Sequence, residues 1–181
     1  MPEPASIRLE EPSDKSAVEA LQRAAFGPGA YARAAFRVRE QAAHDPALSF
    51  VSERGSALIG SVRLTPITVA AHAGHLLGPL VVDPSCKKMG YGKALMRHAM
   101  EAARRSGCAF VLLVGDEPYY WPFGFRPVPR GRIVMPGPVD PARLLVAELR
   151  PGAAHGLQGQ VAGTPRQPQG EETAGVPTVA R

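Results

Sequence analysis

Cysteine is nearly absent from this 181-residue chain: only Cys86 and Cys108 occur, with no CxxC pair and no histidine cluster. A disulfide-stapled scaffold and a zinc site are therefore excluded, and no metal is expected. Lysine is almost as scarce, four residues in all, while the arginines are scattered. Aromatics make up only 6% of the chain and do not alternate with the basic residues, so the stacking pattern of a nucleic-acid groove is missing despite a net charge of +5. No apolar run approaches the ~20 residues of a membrane span. Met1-Pro2-Glu3-Pro4 has neither a basic n-region nor an apolar h-region. These absences predict a soluble, cytoplasmic protein with no nucleic-acid or membrane partner.

What is present suffices for a core: 45% hydrophobic and 20% charged residues. Residues 1–150 read as one domain. Residues 151–181 are rich in Gly and Pro, lack aromatics and read as a flexible tail, in which Leu157 to Val161 is the one segment able to add an edge strand.

Ser6 to Glu10 reads as a first strand. Ser13 or Asp14 is placed to cap a helix carrying Val18, Leu21, Ala25 and Phe26 on one face, broken at Gly27-Pro28-Gly29. Tyr31, Ala35, Val38 and Ala42 recur at helical spacing before Asp45-Pro46. Leu48 to Glu53 and Ala57 to Ala70 are strands joined by the hairpin signal Arg54-Gly55-Ser56, with Pro66 marking an edge or bulge. Leu76 to Val82 is a further strand, in which Gly78-Pro79 predicts a bulge or splaying. Gly92 to Ser106 patterns as an amphipathic helix stopped at Gly107. Ala109 to Val114 is apolar throughout, as in a sheet buried on both faces, and Leu144 to Leu149 supplies a late strand.

Three of the four lysines fall in Lys87-Lys88-Met89-Gly90-Tyr91-Gly92-Lys93, between that strand and that helix. Glycine admits close backbone approach, and a helix start offers unpaired N–H groups and the positive dipole end. Strand, basic glycine loop and helix start together make a pyrophosphate cradle. A P-loop would need Ser or Thr where Ala94 stands, and a dinucleotide fingerprint would need a third glycine where Leu95 stands. Cys86 lies in the same basic loop, which favours a lowered thiol pKa, but no organised base accompanies it; Cys108 reads as core.

Leu80-Val81-Val82-Asp83-Pro84, then Lys87-x-x-Gly90-x-Gly92 and a helix, closely resembles the coenzyme A loop of the GNAT acetyltransferases. Lys87 stands where that family usually has Gln or Arg, keeping charge but losing the planar fork. Further on, Tyr119-Tyr120-Trp121-Pro122-Phe123-Gly124-Phe125 resembles the family's Tyr-x-x-x-Gly-Phe segment, and its double tyrosine with Phe-Gly-Phe is similar to the YhbS-like branch. The resemblance spans residues 6–150 in element order and is sharp over 80–125.

It implies an α/β GNAT fold, a mixed twisted central sheet flanked by helices. It also implies transfer of an acetyl group from acetyl-CoA by direct attack of a primary amine, on a small molecule, an amino acid or a peptide. The cofactor set it implies is Leu80, Val81, Val82, Lys87, Lys88, Met89, Gly90, Tyr91, Gly92, Lys93 and Tyr120. Within it, the Val82 N–H polarises the thioester carbonyl and Tyr120 is the general acid. Asp116 is the leading base candidate, ahead of Glu117, His72 and His75. Asp83 reads as a turn former. Arg33, Arg37 and Arg39 sit where an acidic acceptor would bind, but read as a solvated helix face. The rival reading is a noncatalytic acyl-CoA-binding module on the same scaffold. A homodimer is compatible with all of this.

Overall fold

The computed structural model describes residues 5–27 and 34–165. The end of the Gly27-Pro28-Gly29 break, Tyr31, Arg33 and residues 166–181 of the expected tail lie outside the described residues. The architecture is a mixed sheet with helices on both faces. Strand β1 (Ser6–Leu9) is followed by α1 (Lys15–Phe26), α2 (Ala34–Gln41), β2 (Phe50–Arg54), β3 (Ala57–Val69) and β4 (His72–Val82). Then come α3 (Tyr91–Arg105), β5 (Phe110–Val114), the short α4 (Glu117–Tyr120), β6 (Arg126–Pro127), β7 (Ile133–Val134), β8 (Leu144–Glu148) and β9 (Gly159–Gly163). The main sheet runs β1-β2-β3-β4-β5-β8-β6, antiparallel except where β4 meets β5. No helix among the described residues is long and apolar enough to cross a membrane.

The uninterrupted apolar run of β5 follows from its surroundings. Val111 and Leu113 join the cluster under α3, with Leu95, Met96, Ala99, Met100 and Ala103. Phe110 and Leu112 face the opposite cluster, with Ala34 and Val38 of α2. Both faces of the strand are buried, so alternation has no role there. Each fully buried Leu or Met on α3 contributes about 1.5–3 kcal/mol. The helix stops as expected, Gly107 taking a left-handed φ of 79°.

Several expectations needed correction. Asp14 precedes α1, yet its carboxylate does not cap that helix. It accepts from the Glu11 backbone N–H (2.8 Å) and pairs with Arg8 (2.7 Å). β4 starts at His72, not Leu76, because Ala70 (φ 50°) and Ala71 form a tight turn that returns Val69 directly onto His72. Pro66 sits where β3 changes neighbours, past the last β2 pair (Phe50↔Val62) and before the first β9 pair (Ile67↔Gly163). Its missing N–H therefore costs no ladder bond on that side. Strand β9 lies beyond Pro151 and pairs with both β3 and β7, so the edge segment allowed near Leu157 to Val161 is formed, over Gly159–Gly163.

Candidate active site

Strands β4 and β5 pair only at His75↔Val111 and Leu76↔Leu112. Immediately beyond, β4 carries an extra residue against β3: Leu77 pairs with Leu64 but Leu80 with Val62, so Gly78-Pro79 bulges as anticipated. The two strands then part. The Asp83 N–H donates to Ile59 O at 2.8 Å, on the β3 side. Alternation along the strand turns the N–H groups of Val82 and Leu80 the other way, into the gap left by β5.

The loop after β4 is shaped by its own side chains. Asp83 accepts from the Ser85 N–H (2.8 Å) and Ser85 hydroxyl (2.6 Å), which holds its carboxyl below the usual carboxylate range. This is the turn-forming role expected of it. Gly90 adopts φ 91°, a left-handed conformation that glycine supplies at no steric cost. The first internal bond of α3 runs from Ala94 N to Gly90 O (3.0 Å). The N–H groups of Tyr91, Gly92 and Lys93 are thus left without an intrahelical acceptor. Lys87, Lys88, Met89 and Lys93 are exposed around this mouth, whereas Cys86 is 1% exposed and packs beneath it. Burial removes Cys86 from candidacy as an accessible thiol.

A continuous cavity of about 960 Å³ joins this mouth to the gap between the strands. Leu80, Val82, Lys87, Lys88, Gly90, Tyr91, Gly92, Lys93, Asp116 and Tyr120 all line it, while Val81 (3% exposed) faces the interior and Met89 lies outside. The Tyr120 ring rests directly on the Gly115 backbone: a Cβ there would lie 2.3 Å from Tyr120 Cε2. Tyr119 and Phe125 meet the ring edge-on, with centroids at 4.8 and 5.9 Å. Burial pushes the Tyr120 phenol up to about 12, with the Tyr119 and Asp116 side chains adding to the rise. The phenol therefore keeps its proton throughout the working pH range.

The base candidates separate sharply. The Asp116 carboxylate lines the cavity but is 78% exposed and ion-paired with Arg143 Nε at 3.3 Å. His72 and His75 lie at the opposite end of β4. His75 Nε2 is 3.3 Å from Asp45 Oδ2 and its Nδ1 is 3.2 Å from Cys108 Sγ, with burial holding its pKa below the ordinary value. Cys108 is accordingly a hydrogen-bonded, half-buried thiol, raised by burial, rather than a pure core residue.

Several lining residues were not singled out in the sequence, Arg143 among them, whereas Tyr119 belonged to the aromatic motif and Arg39 to the arginines weighed for an acidic acceptor. Arg143 arrives from the turn before β8, and Tyr119 Oη sits 2.9 Å from where a Gly92 Cβ would be. Arg39, expected on a solvated face, is half-buried and lines the cavity, unlike the exposed Arg37. Its helical spacing from Ala35, one turn earlier, was the available signal.

The chain and its fold have known counterparts. The uncharacterized N-acetyltransferase YjhQ of Escherichia coli is 29% identical over 126 residues, 67% of this chain and 70% of the relative. YhbS of E. coli is 27% identical over 157 residues, 86% of this chain and 93% of the relative. Its crystal structure in complex with CoA superposes with a TM-score of 0.75, covering 88% of this chain and 89% of that one. A GNAT family acetyltransferase from Brucella melitensis, in complex with acetyl-CoA, gives a TM-score of 0.65 at 26% identity, covering 88% and 95%. Residues 15–120, more than half of the chain, match the profile of the acetyltransferase (GNAT) family, and the chain belongs to that family.

Proposed function

We propose that the chain binds acetyl-CoA along the cavity and passes its acetyl group to a primary amine that attacks the thioester directly. The observation carrying this reading is the continuity of helix mouth, strand gap and Tyr120 in one cavity. The residues fit the cosubstrate. The free N–H groups of Tyr91, Gly92 and Lys93, with Lys87, Lys88 and Lys93 around them, suit a diphosphate. The outward N–H groups of Leu80 and Val82 suit an extended amide-bearing arm lying in the gap.

When bound, acetyl-CoA supplies the activated acyl carbon and a thiolate leaving group. The Val82 N–H is the donor that polarises the acyl carbonyl, and losing one such donor typically costs about 100-fold or more in rate. Tyr120 keeps a proton on Oη and would offer it to the departing sulfur as a hydrogen bond. A phenol near 12 is a weaker acid than a thiol near ~8.5. Tyr120 would therefore stabilise the sulfur by hydrogen bonding as charge builds there, while the released thiolate would take its proton from solvent. Asp116, open to water and tied to Arg143, suits passing the amine's proton to solvent rather than holding it in a dry site.

Calorimetry with CoA, followed by thiol release from acetyl-CoA across an amine panel, tests the reading. Tyr120→Phe is expected to lower kcat about 100-fold with CoA affinity retained. Full turnover in that variant removes the acid assignment. CoA binding without thiol release, for any amine, leaves the noncatalytic module.

A further inference from the structure

A second cavity, of about 710 Å³, opens at the opposite end of β4 and shares no lining residue with the first. Asp45, His75, Cys108 and Arg150 line it. His75 is fixed on both sides, pairing with Pro66 of β3 and Val111 of β5. Its Nε2 stands 3.3 Å from Asp45 Oδ2 and its Nδ1 3.2 Å from Cys108 Sγ. Asp45 is itself anchored, its Oδ1 accepting from the Ala47 N–H at 2.9 Å. A carboxylate only accepts, so the ring proton belongs on Nε2 and the Nδ1 lone pair faces the thiol. The Cys108 S–H therefore has two acceptors in reach, His75 Nδ1 and, at 3.2 Å, Phe110 O. A nucleophile, a base and a group orienting that base, all within hydrogen-bond reach, are the signature of an activated nucleophile. Cys108, unlike Cys86, is only half-buried.

We infer that Cys108 is a nucleophilic thiol that takes an acyl group from a small acyl thioester entering this second cavity. On attack the thiol proton passes to His75 Nδ1, the bond from Cys108 Sγ to the acyl carbon forms, and the donor's own C–S bond breaks. His75 then returns the proton to the departing thiolate, which leaves as a thiol, so no oxidant or reductant takes part. Burial raises the Cys108 pKa and lowers that of His75, so the resting pair is a thiol beside a neutral imidazole. That state suits proton transfer during the attack rather than a standing thiolate. Asp45 and Arg150 are the charges acting on the pair: Asp45 favours an imidazolium and Arg150 a thiolate. Arg150 is held near Cys108 by its bond to Gly107 O at 2.9 Å. The site acts without the first cavity and stands or falls apart from the amine transfer proposed there.

The test incubates the full chain, with no amine present, with S-acetyl-N-acetylcysteamine, a thioester lacking a nucleotide, and in parallel with acetyl-CoA. Peptide mass mapping reads which residue is acetylated. Acetylation of Cys108 and not Cys86 is expected, at about 10-fold or more the rate per thiol of the urea-unfolded chain at pH 7. The nucleotide-free donor should serve; labelling by acetyl-CoA alone overturns a direct route through the second cavity. His75 is neutral from below the ordinary imidazole range upward. The native rate should therefore stay nearly level from about pH 6.5 to 8, where an unassisted thiol gains about 10-fold per pH unit. His75→Gln should lose about 100-fold and regain that slope. Cys108→Ser should take no acetyl group, and melting curves report whether each variant folds. A native rate no greater than that of the unfolded chain, a native slope of about 10-fold per pH unit, or an unchanged rate in His75→Gln overturns the inference. If His75→Gln does not fold, the native pH profile decides alone.

Discussion

Replacing Gly115 by Ala isolates the placement of Tyr120 from its chemistry. The added methyl would lie 2.3 Å from Tyr120 Cε2, 2.9 Å from Cδ2 and 3.1 Å from Leu113 Cδ1. Carbon atoms rest at about 3.5 Å or more, so the ring must retreat by about 1.2 Å. Cε2 neighbours the carbon bearing the hydroxyl, and Oη moves with it. The ring has no inward escape, because Phe125 is fully buried behind it and Tyr119 holds its other edge. A displacement of this size takes a hydrogen bond outside its working geometry, and misplacement by ~1 Å costs about 100-fold in rate. Overpacking also lowers stability by about 1–3 kcal/mol. The assay is steady-state thiol release at saturating acetyl-CoA, alongside CoA calorimetry and a melting curve. Gly115→Ala should lose about 100-fold in kcat while CoA affinity changes little, since the helix mouth is untouched. The double variant with Tyr120→Phe should be no slower than Tyr120→Phe alone, both changes acting through one hydroxyl. A native kcat in Gly115→Ala, or losses that multiply in the double variant, would refute the assignment of Oη as the working group.

Gly90→Val should weaken CoA binding at least 10-fold, because φ 91° strains a β-branched residue by about 1–3 kcal/mol; unchanged affinity by calorimetry would contradict a cradle that depends on this turn. With Tyr120 near 12, the kcat/KM profile should rise as the amine deprotonates and show no fall assignable to the phenol below about pH 11. A descending limb near pH 9 that disappears in Tyr120→Phe would place the phenol's pKa far lower. Asp14→Ala removes the Arg8 pair at 2.7 Å and the bond from the Glu11 N–H at 2.8 Å, costing about 2 kcal/mol, moderated because Arg8 is one-third exposed. Hydrogen bonding from Arg8 lowers the Asp14 pKa, so its stabilisation is complete above the unfolded carboxylate value and fades as pH falls through the lowered one. Urea unfolding should accordingly show the native–variant gap at pH 7 and its closure in strong acid.

The parts of the fold legible in the sequence are those with local causes. The α3 stripe, the β5 run and the Gly78-Pro79 bulge each announce themselves within a few residues, and so do the glycine loop and the Tyr120–Gly124 spacing. What escaped was set by distant partners or by atypical turns. The turn at Ala70-Ala71 lacks the Asn or Gly that usually marks a two-residue hairpin, so the start of β4 was placed four residues late. Strand β9 contributes only Val161 to the core from a glycine-bounded segment. It forms because the β2–β3 pairing stops at Phe50↔Val62 and leaves the far half of β3 paired on its β4 side alone, a vacancy about 100 residues away in sequence. Arg39 was misjudged for a related reason: helical spacing shows which residues share a face, not which face meets the cavity.

Strand direction explains why the histidines were misleading candidates. β4 and β5 are the only parallel neighbours in the main sheet among the described residues, and α3 crosses between them. In such a unit ligands gather at the carboxyl ends of the strands, where the crossover helix begins. Here those ends are Val82 and Val114, and from them issue the glycine loop and the Gly115–Tyr120 segment. Arg39 reaches the same end from α2, at the point where the strands part. His75 pairs with Val111 below that point. From His75 to Leu80 the strand rises five residues, about 17 Å, well beyond the reach of an imidazole. A residue can precede the motif closely in sequence and still stand at the wrong end of the strand.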